Sequence, residues 1–226
     1  METLEESIVI TDGIENRWES DATANDLGNA YAAIGDLDAA EQALTSCLHA
    51  ARASTNRYYV ARCVGDLGAL AFRRAEPRRA EQLLGDALEL WRQMAHEPYT
   101  AWALMQLGHV ASSDAARHHD ARRFYAEALG LSIRHGLAPF ALELMVGAVA
   151  LGVPESIDER ASLLHMAAHH PATVFEVRER AGAMLHDIRV TGPLPHSPST
   201  PARRTSRPWW DTAASVAQRL ERGRSA

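Results

Sequence analysis

No lysine occurs among the 226 residues; all 23 basic side chains are arginine. That excludes a Gly-rich phosphate loop ending in Lys, and with it a nucleotide-hydrolysing module of that kind. An arginine-only basic set reads as coding bias of a GC-rich bacterial genome rather than as function. Cysteine is nearly absent too. Cys47 and Cys63 have no metal-ligand spacing and no partner His pattern, so two reduced thiols at helix contacts are expected, in a cytoplasmic setting. Aromatics make up 6% of the chain against 46% hydrophobic residues, so the apolar surface is mostly Ala and Leu, which suits closely packed helices. No apolar run reaches about 18 residues, so no transmembrane helix and no membrane partner are expected. The opening METLEESIVI has no basic leader, so a signal peptide is not expected.

Catalytic motifs are missing as well: there is no Gly-x-Ser-x-Gly, no HExxH and no Cys-x-x-Cys. No enzyme activity, cofactor or metal is therefore expected. The densest unusual cluster is His165, His169 and His170. His165 and His169 stand four apart, a spacing that metal ligands use on a helix, but no third ligand follows at a telling distance. They are expected to be helix-end histidines, with a metal-dependent enzyme as a third alternative. His118 and His119 fall in an expected polar turn.

What is present is a repeat. The stretch from Asp21 to Leu48 holds two helical patterns joined at Gly35-Asp36. Leu27-Gly28 returns as Leu67-Gly68 and Leu107-Gly108, a period of 40 both times. Ala40 returns as Ala80 and, one residue late, as Ala121. Leu44 and Leu48 return as Leu84 and Leu88, then as Tyr125 and Leu129. Self-similarity at this period marks stacked helix pairs. Gly and Ala are expected where two helices cross closely, and the large residues between the pairs.

These residues resemble the tetratricopeptide repeat. Its pattern is carried by Ala24, Leu27, Gly28, Tyr31, Ala40, Leu44 and Cys47; by Val64, Leu67, Gly68, Ala71, Ala80, Leu84 and Ala87; and by Leu104, Leu107, Gly108, Ala111, Ala121, Tyr125 and Ala128. The resemblance implies an all-α, right-handed superhelical solenoid of about four antiparallel helix pairs, with a capping helix and a flexible tail. It covers most of residues 2–189.

Along the chain, Leu4, Ser7 and Ile8 lie 40 residues before Leu44, Cys47 and Leu48. The segment LEESIVI therefore reads as the second helix of a pair whose first helix is missing, either a fragment edge or a cap. Self-association through this incomplete first repeat is one expectation. Gly35 is expected to stop a helix and Asp36 to cap the next; Pro77 and Pro98 should open helices and Gly136 end one. After Pro139 the pattern degrades: Glu143 stands where an apolar residue belongs, although Gly147 and Ala150 keep register. Thr173 with Glu176 forms a capping-box pattern. The segment HHPAT, EVRERA and its Leu-containing end is similar to the closing segment of large bacterial regulators. Those proteins join an ATPase module to tetratricopeptide repeats, often with a LuxR-type DNA-binding or a cyclase domain.

The expected domains are residues 1–189, helical repeats with an incomplete first and a degenerate last copy; 190–208, a Pro-rich disordered linker; and 209–226, a short basic amphipathic tail. Residues 191–226 carry six Arg against Asp211 and Glu221, a net +4, on a body that is then net −10. Direct nucleic-acid contact is not expected from an acidic body without a recognition motif. The resemblance places ligand contacts on the first helices, at Asn25, Asn29, Arg62, Phe72, Arg73, Trp102, Met105 and His109. The Asn side chains would bond a peptide backbone, the Arg side chains an acidic partner, and the aromatic residues and Met105 an apolar anchor. The expected function is a non-catalytic protein- or peptide-binding scaffold, the sensor or interaction arm of a bacterial signalling or transcriptional regulator. The alternative is a stand-alone regulatory protein that senses a peptide or small molecule.

Overall fold

The computed structural model describes residues 17–191 and 209–222, which form helices joined by short turns, with no strand among the described residues. The helices are α1 (Arg17–Ile34), α2 (Leu37–Ala53), α3 (Arg57–Arg73), α4 (Pro77–Gln93), α5 (Glu97–Ser112), α6 (His118–Arg134), α7 (Ala138–Ala150), α8 (Ile157–His169), α9 (Phe175–Thr191) and α10 (Trp209–Arg222). The chain divides into two compact units, Met1–Tyr99 and Thr100–Ala226, and the division falls in the first turn of α5. The segment LEESIVI, read above as a lone second helix, and the expected linker over 192–208 lie outside the described residues.

The turns follow one local rule. Gly35, Thr55, Ala75, Ala95, Gly136 and Gly152 all have positive φ. Each donates its N–H three residues back, and the following N–H reaches five residues back: Asn56 N to Ala51 O at 2.8 Å, Glu76 N to Ala71 O at 2.9 Å, His96 N to Trp91 O at 3.0 Å. These are Schellman closures, which satisfy the last carbonyls of one helix while reversing the chain. Caps then start the next helix. Asp36 accepts from Ala39 N and Asn56 from Tyr59 N, and Pro77 opens α4. The extra residue of the third repeat is taken up by a 3₁₀ turn, Ala115–Arg117. His118 and His119, expected in a turn, instead begin α6.

Within the first unit, α1 packs on α2, α2 on α3, α3 on α4, and α1 also touches α3. The repeat register sets the crossings. A Cβ added to Gly28 would stand 2.6 Å from Leu44 Cγ, and one at Gly68 would stand 2.8 Å from Leu84 Cγ and 3.1 Å from Leu84 N. Only a missing side chain lets the two helices of each hairpin approach this closely. Ala40, Leu44, Ala80, Leu84, Ala87 and Trp91 have no exposed surface. Burying one leucine side chain of this kind contributes about 1.5–3 kcal/mol. On the solvent side, Arg62–Asp26, Arg74–Asp38 and Arg79–Glu41 tie the second pair to the first. Such exposed pairs contribute roughly 0–1 kcal/mol each.

In the second unit α6 packs on α7, α7 on α8 and α8 on α9, with α9 also touching α7. Tyr125 of α6 fills the place that Leu44 and Leu84 hold earlier. Its ring lies between two glycines: added Cβ atoms would meet it at 2.3 Å from Gly108 and 2.8 Å from Gly147. The capping box expected at Thr173 and Glu176 is not formed. The helix begins only at Phe175, and the Thr173 hydroxyl is buried without a hydrogen bond. The tail, expected to be flexible, is held down over Trp209–Arg222. α10 lies along α6, touches α7 and buries Ala213, Val216 and Leu220.

Candidate functional site

In the first unit the first helices of the two pairs, α1 and α3, share a polar seam. Asp66 is its centre. Asn25 Nδ2 donates to Asp66 Oδ2 at 2.8 Å and Asn29 Nδ2 to the same oxygen at 3.0 Å; Asn29 also donates to Asn25 Oδ1 at 3.3 Å. Asp66 Oδ1 accepts no hydrogen bond among the described residues. Burial pushes the Asp66 carboxyl above its ordinary range, against the Asn25 and Asn29 donations and the Arg62 charge, which pull it down. Arg62 Nη2 meets Asp26 Oδ1 at 2.9 Å. Beside it stands an aromatic group: Trp91 stacks on Tyr99 at 4.5 Å, and Tyr58 meets Trp91 edge-on at 5.2 Å.

The expected contact residues of this unit therefore divide. Asn25 is fully buried and its amide is committed to Asp66, so it is withdrawn from any ligand. Asn29 is half-buried and shares that commitment. Arg62 is already paired with Asp26. Phe72 is half-buried, and Arg73 is exposed with no ion pair among the described residues. On α3, Arg62, Asp66, Ala69, Phe72 and Arg73 follow helical spacing and lie on one face. Sequence reasoning missed Asp66 and the aromatic group. A signal for Asp66 was present: the polar residues Asp26, Asp66 and Gln106 recur at the same 40-residue period as the Leu-Gly pairs.

In the second unit the remaining expected residues sit on α5. Trp102 is half-buried, and Met105 is 2% exposed, so Met105 is core rather than an anchor for a ligand. His109 is the hub of a chain of polar contacts. Its Nδ1 lies 2.7 Å from the Tyr125 hydroxyl and its Nε2 3.1 Å from Glu143 Oε1, while Arg180 of α9 approaches Glu143 at 3.7 Å. Burial would raise the Glu143 carboxyl, but the His109 hydrogen bond, the His109 charge and Arg180 outweigh it and hold it below its ordinary value. Burial pushes the Tyr125 phenol up to about 12. The position that reads as repeat degeneracy is thus a polar contact between α5, α7 and α9.

The cysteine pair and the histidine cluster stay local. Cys63 Sγ touches Cys47 Sγ at 2.7 Å in a buried contact between α2 and α3, and both stand as thiols. The contact with Cys47 and then burial hold the Cys63 thiol far above its usual range. His165 and His169 lie side by side on α8, with His169 Nδ1 2.8 Å from the His165 carbonyl. Among the described residues no three His, Cys, Asp or Glu side chains gather as a metal site would require. No helix is long and apolar enough, among the described residues, to cross a membrane.

Residues 60–95, which span most of α3, all of α4 and the turn after it, match the family model of the tetratricopeptide repeat. That repeat supports a protein-interaction scaffold. No curated protein matches the chain.

Proposed function

We propose that this protein is a non-catalytic scaffold, the interaction arm of a bacterial signalling or transcriptional regulator, and that it holds a peptide segment of its partner along the α1–α3 face of the first unit. The observation that carries this reading is the Asp66 seam. A half-buried carboxylate, drawn partly out of water, is costly unless it is paired. Here two buried or half-buried amides hold one oxygen in place and leave the other without a donor. Perturbed, pre-positioned groups of this kind gather at functional sites.

One face of α3 thus presents an acceptor at Asp66 and, at Arg73, a cation with no ion pair among the described residues, about 10 Å apart along the helix. Ala69 and Phe72 lie between them. An extended peptide would donate a backbone N–H to Asp66, rest an apolar side chain on Phe72 and set an acidic side chain against Arg73. Arg62 serves to keep Asp26 in place rather than to bind the acid. The two buried thiols fit a reducing compartment, the cytoplasm. The regulator context rests on the similarity of the HHPAT and EVRERA segment described above.

The direct test places a photo-crosslinking amino acid at Ala69 and, as a control, at Gln82 on α4, in the source cell. A partner captured from position 69 and not from 82, and lost when Phe72→Ala/Arg73→Glu is added, supports the reading. Equal capture from both positions removes it.

A further inference from the structure

The second unit carries a different binding surface. α10 runs antiparallel to α8: Trp209 packs on His170 beyond the end of α8, while Arg219 pairs with Glu159 near its start. Its anchors along α6 and α7 are few and mostly small: Ala213, Val216 and Leu220. Their effect on α6 is visible by comparison with α4. Ala126 and Leu131 are buried on α6, whereas the matching Gly85 and Leu90 of α4 are only half-buried. So α10 covers an apolar strip that the repeat pattern itself does not require.

The fit is incomplete on the α8 side. A cleft of about 370 Å³ remains between α8 and α10. Its floor is Leu163, Met166 and Val216, and its α10 wall is made by the short polar side chains of Thr212 and Ser215. Asp158 and Glu159 stand at its rim. α10 is the last described element, joined to α9 only through residues 192–208, so its departure breaks no connection between other helices.

We propose that the groove formed by α6, α7 and α8 is a binding site for an amphipathic helix of a partner protein, and that α10 is its tethered place-holder. The preferred occupant carries large apolar side chains where α10 has Thr212 and Ser215, and a basic side chain at the place of Arg219. The unfilled cleft argues for the bulkier residues, and the acidic rim for the base. A tethered helix competes at a high effective concentration, so a foreign helix must fit better than α10 in order to replace it. This site is independent of the α1–α3 face.

The test uses the full chain and two fluorescent 14-residue peptides, α10 itself and α10 with T212L/S215L. Fluorescence anisotropy should show the substituted peptide binding the wild-type chain at least tenfold more tightly than the α10 peptide. Releasing the tether-bound helix with V216D/L220D should improve binding of both peptides at least tenfold, with helix content kept by circular dichroism. Should that variant unfold, R219E alone serves, with a smaller gain expected. In the released V216D/L220D chain, Glu159→Arg should weaken both peptides, and R219E in the peptide should restore them. Equal binding of the two peptides, or no gain on releasing α10, overturns the proposal. So does a concentration-dependent dimer of the wild-type chain that V216D/L220D abolishes, because the occupant would then be a second copy.

Discussion

Gly68 and Gly85 are both helical glycines of the second pair, and their neighbourhoods make opposite demands. A Cβ at Gly68 collides with Leu84 side chain and backbone, while one at Gly85 meets nothing within 4 Å. Gly68→Leu should lower stability by about 1–3 kcal/mol, and Gly85→Ala should raise it by about 0.5–1 kcal/mol through helix propensity. Denaturant melts of the two variants check the register: a neutral Gly68→Leu would refute it. Gly68 was legible in the sequence because packing imposes it at every period. The role of Glu143 was not. Its partners His109 and Arg180 come from two other helices, and no local pattern announces them. Its carboxyl is held below the ordinary 4.5 in the fold. A depressed folded value contributes stability that is present above about that pH and is lost as pH falls through the folded value. Glu143→Gln should therefore cost about 1–2 kcal/mol near neutrality, with the gap from wild type closing below pH 4.5. A gap that is constant with pH would mean the contact is steric rather than ionic.

At the scale of the element, the helices were legible, and their starts and stops only in part: the starts at Asp36 and Pro77 were announced, the start at His118 was not. Gly35 and Gly136 announce their turns, but Thr55, Ala75 and Ala95 occupy the same left-handed place without glycine. The hairpin geometry imposes that conformation, and no side-chain preference reveals it. An L-residue there carries a cost of about 1–2 kcal/mol. Ala95→Gly should therefore stabilise the chain by about 0.5–1 kcal/mol after its own entropy loss. A thermal melt showing destabilisation would mean that the His96 N to Trp91 O closure depends on the alanine. The α9 start shows the reverse case: a correct-looking capping pattern was overridden, since Thr173 is drawn into the interior instead of capping the helix.

For the molecule as a whole, the period of 40 gave the helix pairs and their order, because each pair repeats the same local packing problem. It did not give the surface. Positions chosen by repeat phase proved to include core (Met105), a buried structural amide (Asn25) and a paired cation (Arg62), since phase says which way a side chain faces but not what already occupies that side. What survives as an available surface in the first unit is Asp66 Oδ1, Ala69, Phe72 and Arg73. The most direct measurement is a titration. Peptides selected by display against the full-length chain would be measured by calorimetry against wild type and against Phe72→Ala/Arg73→Glu, with Asp66→Asn as a third protein. The expected result is a loss of at least tenfold, about 1.4 kcal/mol, for both variants. Binding to wild type should weaken as salt rises, through Arg73. Selected peptides that bind all three proteins with equal affinity would contradict the assignment of the α1–α3 face as the binding surface.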